Sequence, residues 1–141
     1  MTVAIELDVL GDTRPLWRDW LADAARVLEV DGVPEDRVAA AAELDARGAG
    51  NWRTLLERFA EDRAPVYLRP AAEVSATLRA LHADGEQLVV FTDAPLELAR
   101  IALAQLGATR RVERVEVGSG PVDADVVVRS RAELLRLRRS A

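Results

Sequence analysis

The sequence predicts a three-layer α/β sandwich around a parallel sheet, formed by a single domain over residues 1–141. Two observations predict this class. From about Pro70 onward, strand-like apolar runs alternate with amphipathic helical segments, which favours parallel strands joined by right-handed crossovers. In addition, residues 88–91 are apolar throughout, as expected for a strand that is covered on both faces.

Composition restricts the class of protein. Half of the 141 residues are apolar and 30% are charged, and a chain of this length buries about two thirds of its unfolded surface. No apolar run approaches the roughly 20 residues of a membrane span, and no signal peptide is recognised. The net charge of -5 gives no electrostatic basis for nucleic-acid binding. We therefore expect no nucleic-acid or membrane partner. The absence of cysteine fits a reducing cytoplasm, which we take as the default location, and it would also fit other compartments.

The first half of the chain predicts one strand followed by helices. Residues 3–8 form an apolar strand that ends in carboxylates, and residues 11–15 supply turn residues. Apolar residues at helical spacing then predict helices over residues 16–28, over residues 35–47, and from Asn51 to a polar stretch at residues 61–65. We interpret residues 33–69 as a helical cap-like insertion within the domain.

The second half alternates between helices and strands. The predicted elements are a helix around Leu78, a strand at residues 88–91, a helix ending at Gly107, strands at residues 112–117 and 125–128, and a final helix. Ser130, with Glu133 three residues later, forms a capping box that begins this last helix.

Polar residues at the predicted strand ends define the candidate site. In open parallel sheets, ligands bind outside the carboxyl ends of the strands. The residues expected at that edge are Glu6, Asp8, Thr92, Gly118, Ser119, Asp123 and Asp125. A structural interpretation is also open, because the carboxylates of the first strand could cap a helix or pair with an arginine such as Arg14. Thr92 could likewise serve only as a helix cap.

Two segments resemble motifs of the haloacid dehalogenase-like superfamily. Residues 5–13 are similar to its first motif, in which a strand ends in Asp-x-Asp and the two acids act as nucleophile and general acid/base. Residues 88–95 resemble its second motif, whose Thr or Ser hydroxyl holds a phosphoryl group. The resemblance implies a reduced Rossmannoid fold with a small helical cap at residues 33–69, and it places Glu6, Asp8 and Thr92 at catalytic positions.

The sequence departs from the family pattern at positions that carry its chemistry. Glu6 stands where the family has its nucleophilic Asp, and the extra methylene moves the carboxylate by about 1 Å, a displacement that can cost ~100-fold in rate. The family's third motif supplies a lysine, but this chain has none, and the guanidinium of Arg110 or Arg111 differs from an ammonium in shape. Residues 118–125 are too few to hold the strand and helix that carry the third and fourth motifs.

These departures favour a catalytically degenerate protein, a pseudo-phosphatase that serves as a binding or regulatory module for a small phosphorylated ligand or a protein partner. The resemblance implies Mg²⁺ as cofactor, with Glu6, Asp8 and Asp123 as candidate ligands. One alternative is a Mg²⁺-dependent phosphohydrolase acting on a small phosphorylated metabolite. A second is a structural subunit of a homo-oligomer or hetero-oligomer, because the loss of an edge strand exposes backbone hydrogen-bonding groups.

Overall fold

A four-stranded sheet forms the centre of the molecule, in a computed structural model that describes residues 1–140. The strands are β1 (Thr2–Glu6), β2 (Gln87–Thr92), β3 (Val112–Val117) and β4 (Val126–Val128). Their order is β3-β2-β1-β4, and every neighbouring pair is parallel. Ile5 of β1 lies opposite Val90 on one side and Val128 on the other. The predicted parallel α/β fold is confirmed.

Seven α-helices and one short 3-10 helix complete the described part of the chain. They are α1 (Leu7–Leu10), α2 (Arg14–Val27), α3 (Arg37–Ala46), α4 (Trp52–Tyr67), α5 (Ala72–Ala83), α6 (Leu96–Gln105) and α7 (Arg131–Ser140), with the 3-10 helix at Thr109–Arg111. The predicted capping box of α7 is present, since the Ser130 hydroxyl accepts a hydrogen bond of 3.2 Å from the Glu133 N–H. Over residues 1–140, no helix has the length and apolar character needed to cross a membrane.

Two predicted boundaries are wrong. The sequence predicts a first strand that runs to Asp8, but β1 ends at Glu6 and Asp8 lies in the single helical turn α1. The polar stretch at residues 61–65 is predicted to end a helix, but α4 continues two residues beyond it. The helix persists there because Ala60 and Ala64 on its inner side are buried, and this packing outweighs the polar character of the residues between them.

The helices pack into two apolar clusters. The first lies between one face of the sheet and helices α5, α6 and α7. The second joins α2, α3 and α4 to the beginning of α6. At its centre, the Trp20 ring lies 5.0 Å from that of Trp17 and 5.9 Å from that of Trp52. Helix α2 therefore packs together with the helices of residues 33–69, and we call α2, α3 and α4 the helical unit.

The connection between β3 and β4 crosses the sheet from one edge to the other. At its beginning, the Gly118 N–H donates to the Thr92 carbonyl at 2.9 Å, at the carboxyl end of β2. At its end, the Asp125 N–H donates to the Thr2 carbonyl at 3.0 Å, at the amino end of β1. The beginning of residues 118–125 thus borders the carboxyl ends of the strands.

Candidate functional site

Asp8 is held by the residue that precedes helix α2. Its side chain is only 13% exposed. Its Oδ1 accepts hydrogen bonds from the Thr13 backbone N–H at 2.9 Å and from the Thr13 hydroxyl at 2.6 Å. Asp8 therefore orients the beginning of α2, which is one of the two roles that the sequence leaves open for it.

Arg37 reaches from the helical unit to Asp8. Its side chain is 7% exposed, and its Nη2 lies 3.0 Å from Asp8 Oδ2. Its Nη1 donates to the Thr13 hydroxyl at 2.6 Å. On its other side, Nε donates to Asp93 Oδ1 at 2.9 Å and Nη2 lies 2.6 Å from the same oxygen. Two carboxylates and a hydroxyl thus compensate a guanidinium that is almost removed from water.

Glu6 faces a different arginine. Its carboxylate lies 3.8 Å from Arg129 Nη1, and the two side chains are 36% and 62% exposed. The Arg129 guanidinium also lies over the Phe91 ring, 5.0 Å from its centre. An exposed ion pair contributes about 1 kcal/mol or less, so Glu6 is constrained far less than Asp8.

The sequence suggests Arg14 as a partner for the carboxylates of the first motif, Glu6 and Asp8. In the structure, Arg14 pairs with neither of them. Its Nε lies 2.8 Å from Asp12 Oδ1. The hydrogen bond from Arg14 lowers the pKa of Asp12 below its ordinary value. Asp12 is the partner because it lies two residues away on the same exposed turn, whereas Asp8 is enclosed by Thr13 and Arg37.

Thr92 stabilises the turn between β2 and α6. It is 3% exposed, and its hydroxyl accepts the N–H of Ala94 at 3.1 Å. The N-cap residue of α6 is Pro95, which has no side-chain hydrogen bond to the helix. Thr92 therefore bonds within the turn and does not cap α6 directly. Its hydroxyl can still donate one hydrogen bond of its own.

Glu6, Asp8 and Thr92 line one cleft, a cavity of about 400 Å³ at the carboxyl ends of the strands. The other lining residues are Arg14, Arg37, Phe91, Asp93, Gly118, Ser119, Gly120, Val122 and Arg129. Three carboxylates and three guanidinium groups thus border the cleft, and their formal charges balance.

The two later acids of the predicted site do not join this cleft. Asp123 is exposed and is not among the lining residues, although its neighbour Val122 is. The expected place of Asp125 at the carboxyl ends is wrong, since its Oδ2 accepts the Thr2 N–H at 2.7 Å at the opposite end of the sheet. The reason is topological: Asp125 immediately precedes β4, and β4 runs parallel to β1.

The side chains of the cleft do not fit a Mg²⁺ ion. Such an ion requires nearly octahedral oxygen ligands at about 2.0 to 2.1 Å. Both oxygens of Asp8 already accept hydrogen bonds, and Asp93 also pairs with the Arg37 guanidinium. Within residues 1–140, no group of three or more acidic, histidine or cysteine side chains is placed to hold a metal ion. A guanidinium therefore supplies the positive charge beside Asp8.

Sequence reasoning missed Arg37, although one local signal points to it. Arg37 is the first residue of α3, where the partial positive charge of the helix dipole disfavours a cation. An arginine at that position gains no stabilisation from its own helix, which indicates a partner elsewhere. The identity of that partner, Asp8, lies 29 residues away in the sequence and follows only from the packing of the helical unit.

A second cavity, of about 450 Å³, lies on the other side of Arg37. Its apolar lining comes from α2 and from the segment before α3, and it includes Trp17, Leu21, Val30 and Val33. Arg14, Arg37 and Asp93 border both cavities, so this charged group lies between the charged cleft and the more apolar cavity.

Comparison with solved structures establishes the fold. The structure is similar to that of a protein from Thermotoga maritima assigned as a β-phosphoglucomutase, with a TM-score of 0.54 and 18% identity over 96% of this chain and 80% of that chain. This is the haloacid dehalogenase-like fold. A predicted phosphoglycolate phosphatase from Haemophilus somnus 129pt is also similar, with a TM-score of 0.52 and 16% identity over 87% of this chain and 64% of that chain.

The haloacid dehalogenase-like resemblance of residues 5–13 and 88–95 is therefore confirmed for the fold. No family model and no curated protein matches the sequence. At identities of 18% and 16%, the structural likeness shows only that the fold is shared. Function has to be argued from the side chains of the cleft.

Proposed function

We propose that this protein is a catalytically degenerate member of the haloacid dehalogenase-like group, a pseudo-phosphatase that acts as a binding or regulatory module. The contact between Arg37 and Asp8 carries this proposal. A general acid/base must lie within hydrogen-bonding reach of the reacting group and exchange a proton with it. Asp8 Oδ1 accepts two hydrogen bonds from Thr13 and Oδ2 accepts one from Arg37, so a reacting group would have to displace Arg37 or share Oδ2 with it.

The environment of Glu6 also supports the proposal. Nucleophilic attack requires close positioning, and a misplacement of about 1 Å can cost ~100-fold in rate. Glu6 is partly exposed, and the ion pair it makes, with Arg129, is 3.8 Å long. The chain has no lysine that could neutralise a carboxylate and a phosphate group held side by side. Glu6 thus lacks the supporting contacts that a covalent mechanism needs.

The exposed arginines of the cleft support binding of a small phosphorylated ligand. The side chains of Arg14 and Arg129 are 66% and 62% exposed, and both line the cleft. Guanidinium groups bind phosphate oxygens with two parallel hydrogen bonds. A phosphate group between them would displace the long contact between Arg129 and Glu6, which is the weakest ion pair of the cleft.

Calorimetric titration with inorganic phosphate tests ligand binding. We expect saturable binding to the wild-type protein and an affinity about tenfold lower in Arg129→Met, because a hydrogen bond to a charged group is lost. Arg58→Met is the matched control, since Arg58 is exposed on α4 and does not line the cleft. The proposed ligand class is wrong if the wild-type protein shows no saturable heat, or if both variants weaken binding equally.

A Mg²⁺-dependent phosphohydrolase is the second candidate, and the observation that favours it is that Glu6, Asp8 and Thr92 border one cleft. This function requires Arg37 to release Asp8, so that the carboxylate can bind a cation. Titration with MgCl₂ alone separates the two candidates. The enzyme hypothesis predicts a saturable site that is lost in Asp8→Asn, whereas the degenerate protein should show no such site.

A further inference from the structure

We propose that the open edge of β3 joins two copies of this chain into a dimer, in which their two sheets become continuous. β3 is an edge strand of the sheet. Since Gly118 donates its N–H toward β2, and backbone groups alternate in direction along a strand, those of Val115 and Val117 point away from β2. These free groups can pair with another strand. Val117 is also 48% exposed, and such pairing would cover it.

Charge complementarity indicates a second copy of the same chain as the partner. Arg114 and Glu116 project from the same face of β3, and their charged groups lie 3.0 Å apart. In antiparallel pairing about a two-fold axis at Val115, Arg114 of each copy lies opposite Glu116 of the other. Opposite charges at directly opposed positions stabilise strand pairing, and this axis creates two such pairs.

Neighbouring registers lack this match. A two-fold axis at Arg114 opposes two arginines, and an axis at Glu116 opposes two glutamates, both of which are unfavourable. An axis at Val117 would extend the pairing into Gly118, whose φ of 126° lies outside the range of a regular strand. Charged side chains on an edge strand usually prevent pairing. On β3, the charges of Arg114 and Glu116 disfavour strand pairing in the adjacent registers and favour it in the register centred on Val115.

Sedimentation velocity over a range of protein concentrations tests the dimer. The wild-type chain should show a reversible equilibrium between monomer and dimer without larger species, because a two-fold interface closes on itself. Val115→Pro removes an N–H that faces the open edge and leaves the hydrogen bonds to β2 intact, so this variant should be monomeric and folded by circular dichroism. A wild-type chain that stays monomeric at every concentration would overturn the proposal, as would a folded Val115→Pro variant that still dimerises.

Charge-swap variants test the register independently of Val115→Pro. Arg114→Glu and Glu116→Arg should each weaken dimerisation about tenfold or more, since each opposes like charges at two positions. An equimolar mixture of the two variants should recover the dimer, because every Glu then lies opposite an Arg. Arg110→Glu is the control, with the same charge change on an exposed residue before β3, and it should dimerise normally. Unchanged dimerisation of the single variants, or a mixture that stays monomeric, would overturn this register.

Discussion

Arg37 Nη2 lies 3.0 Å from Asp8 Oδ2, and this contact joins helix α3 to the turn after β1. The Thr13 hydroxyl bridges the pair, since it donates to Asp8 and accepts from Arg37. The Arg37 guanidinium therefore joins the helical unit to the strand ends. It also binds Asp8, the carboxylate that aligns with the general acid/base of the haloacid dehalogenase-like superfamily. If the proposed loss of proton transfer is right, it has the same structural cause as the anchoring of the helical unit, namely the contact between Arg37 and Asp8.

Replacing Arg37 should destabilise the protein strongly. Arg37→Met leaves Asp8 and Asp93 without their buried cation, and removal of one partner from such a cluster costs about 3 kcal/mol or more. Urea denaturation measures this loss as a decrease in the free energy of unfolding. Arg58→Met removes an exposed arginine of α4 and should change that free energy by only about 0.5 kcal/mol. Equal effects of the two substitutions would contradict the anchoring role.

A double-mutant cycle isolates the contact between Arg37 and Asp8. Asp8→Asn and Arg37→Met should each destabilise the protein, but their combination should cost less than the sum by about 1 kcal/mol or more. The reason is that the second substitution removes a partner that the first has already left unpaired. Urea denaturation of the four proteins gives the coupling energy. Strict additivity would show that the two side chains do not interact in solution.

Asp45 should contribute a stabilisation that depends on pH. The Trp52 indole N–H donates to Asp45 Oδ1 at 2.9 Å, and this bond, with the charge of Arg53, lowers the pKa of Asp45 below its ordinary value. A carboxylate whose pKa is lower in the folded state stabilises the protein above its unfolded pKa and loses this effect as pH falls through its folded pKa. Asp45→Asn should therefore cost about 0.5 kcal/mol at pH 7, an amount typical of exposed pairs, and less near pH 2.

Urea denaturation at pH 7, 4 and 2 measures the pH dependence of Asp45→Asn against the wild-type protein. Asp62→Asn is a suitable control, because the Asp62 side chain is 79% exposed and its ion pair with Arg63 is 3.3 Å long. That control should show little difference from wild type at any of the three values. A cost of Asp45→Asn that is the same at pH 7 and pH 2 would contradict the assigned role of the Trp52 hydrogen bond.

Gly11 should not tolerate a side chain while Leu106 is present. A Cβ at Gly11 would lie 2.8 Å from Leu106 Cδ1, and Leu106 is 6% exposed, so it has little room to move. Gly11→Ala should lower the free energy of unfolding by about 1 to 3 kcal/mol, as expected for overpacking. The combination with Leu106→Ala should cost less than the sum of the two single effects.

Gly120→Ala provides the comparison for Gly11→Ala, because a Cβ at Gly120 would meet no atom within 4 Å. It should change the free energy of unfolding by about 0.5 kcal/mol or less. Steric conflict with Leu106 would be ruled out as the cause if Gly11→Ala and Gly120→Ala had the same effect, or if Leu106→Ala gave no relief.

Features set by neighbouring residues could be predicted from the sequence. The apolar run at residues 88–91 became β2, and the hydrogen bond from Glu133 to Ser130 begins the last helix. The placement of Asp125 at the amino end could also have been predicted, because the first residue of a strand in a parallel sheet lies opposite to the carboxyl ends. The partner of Asp8 could not be predicted, since its contact with Arg37 depends on the packing of three helices over the strand ends.

Phosphate release from a generic phosphate ester in the presence of Mg²⁺ tests the central claim most directly. Wild type, Glu6→Ala and Asp8→Ala should be purified identically and compared. Our account predicts the same background rate for all three proteins, because the oxygens of Asp8 are engaged within the protein and Glu6 lacks positioning contacts. Wild-type turnover above that background, lost in both variants, would contradict the account and establish an active phosphohydrolase.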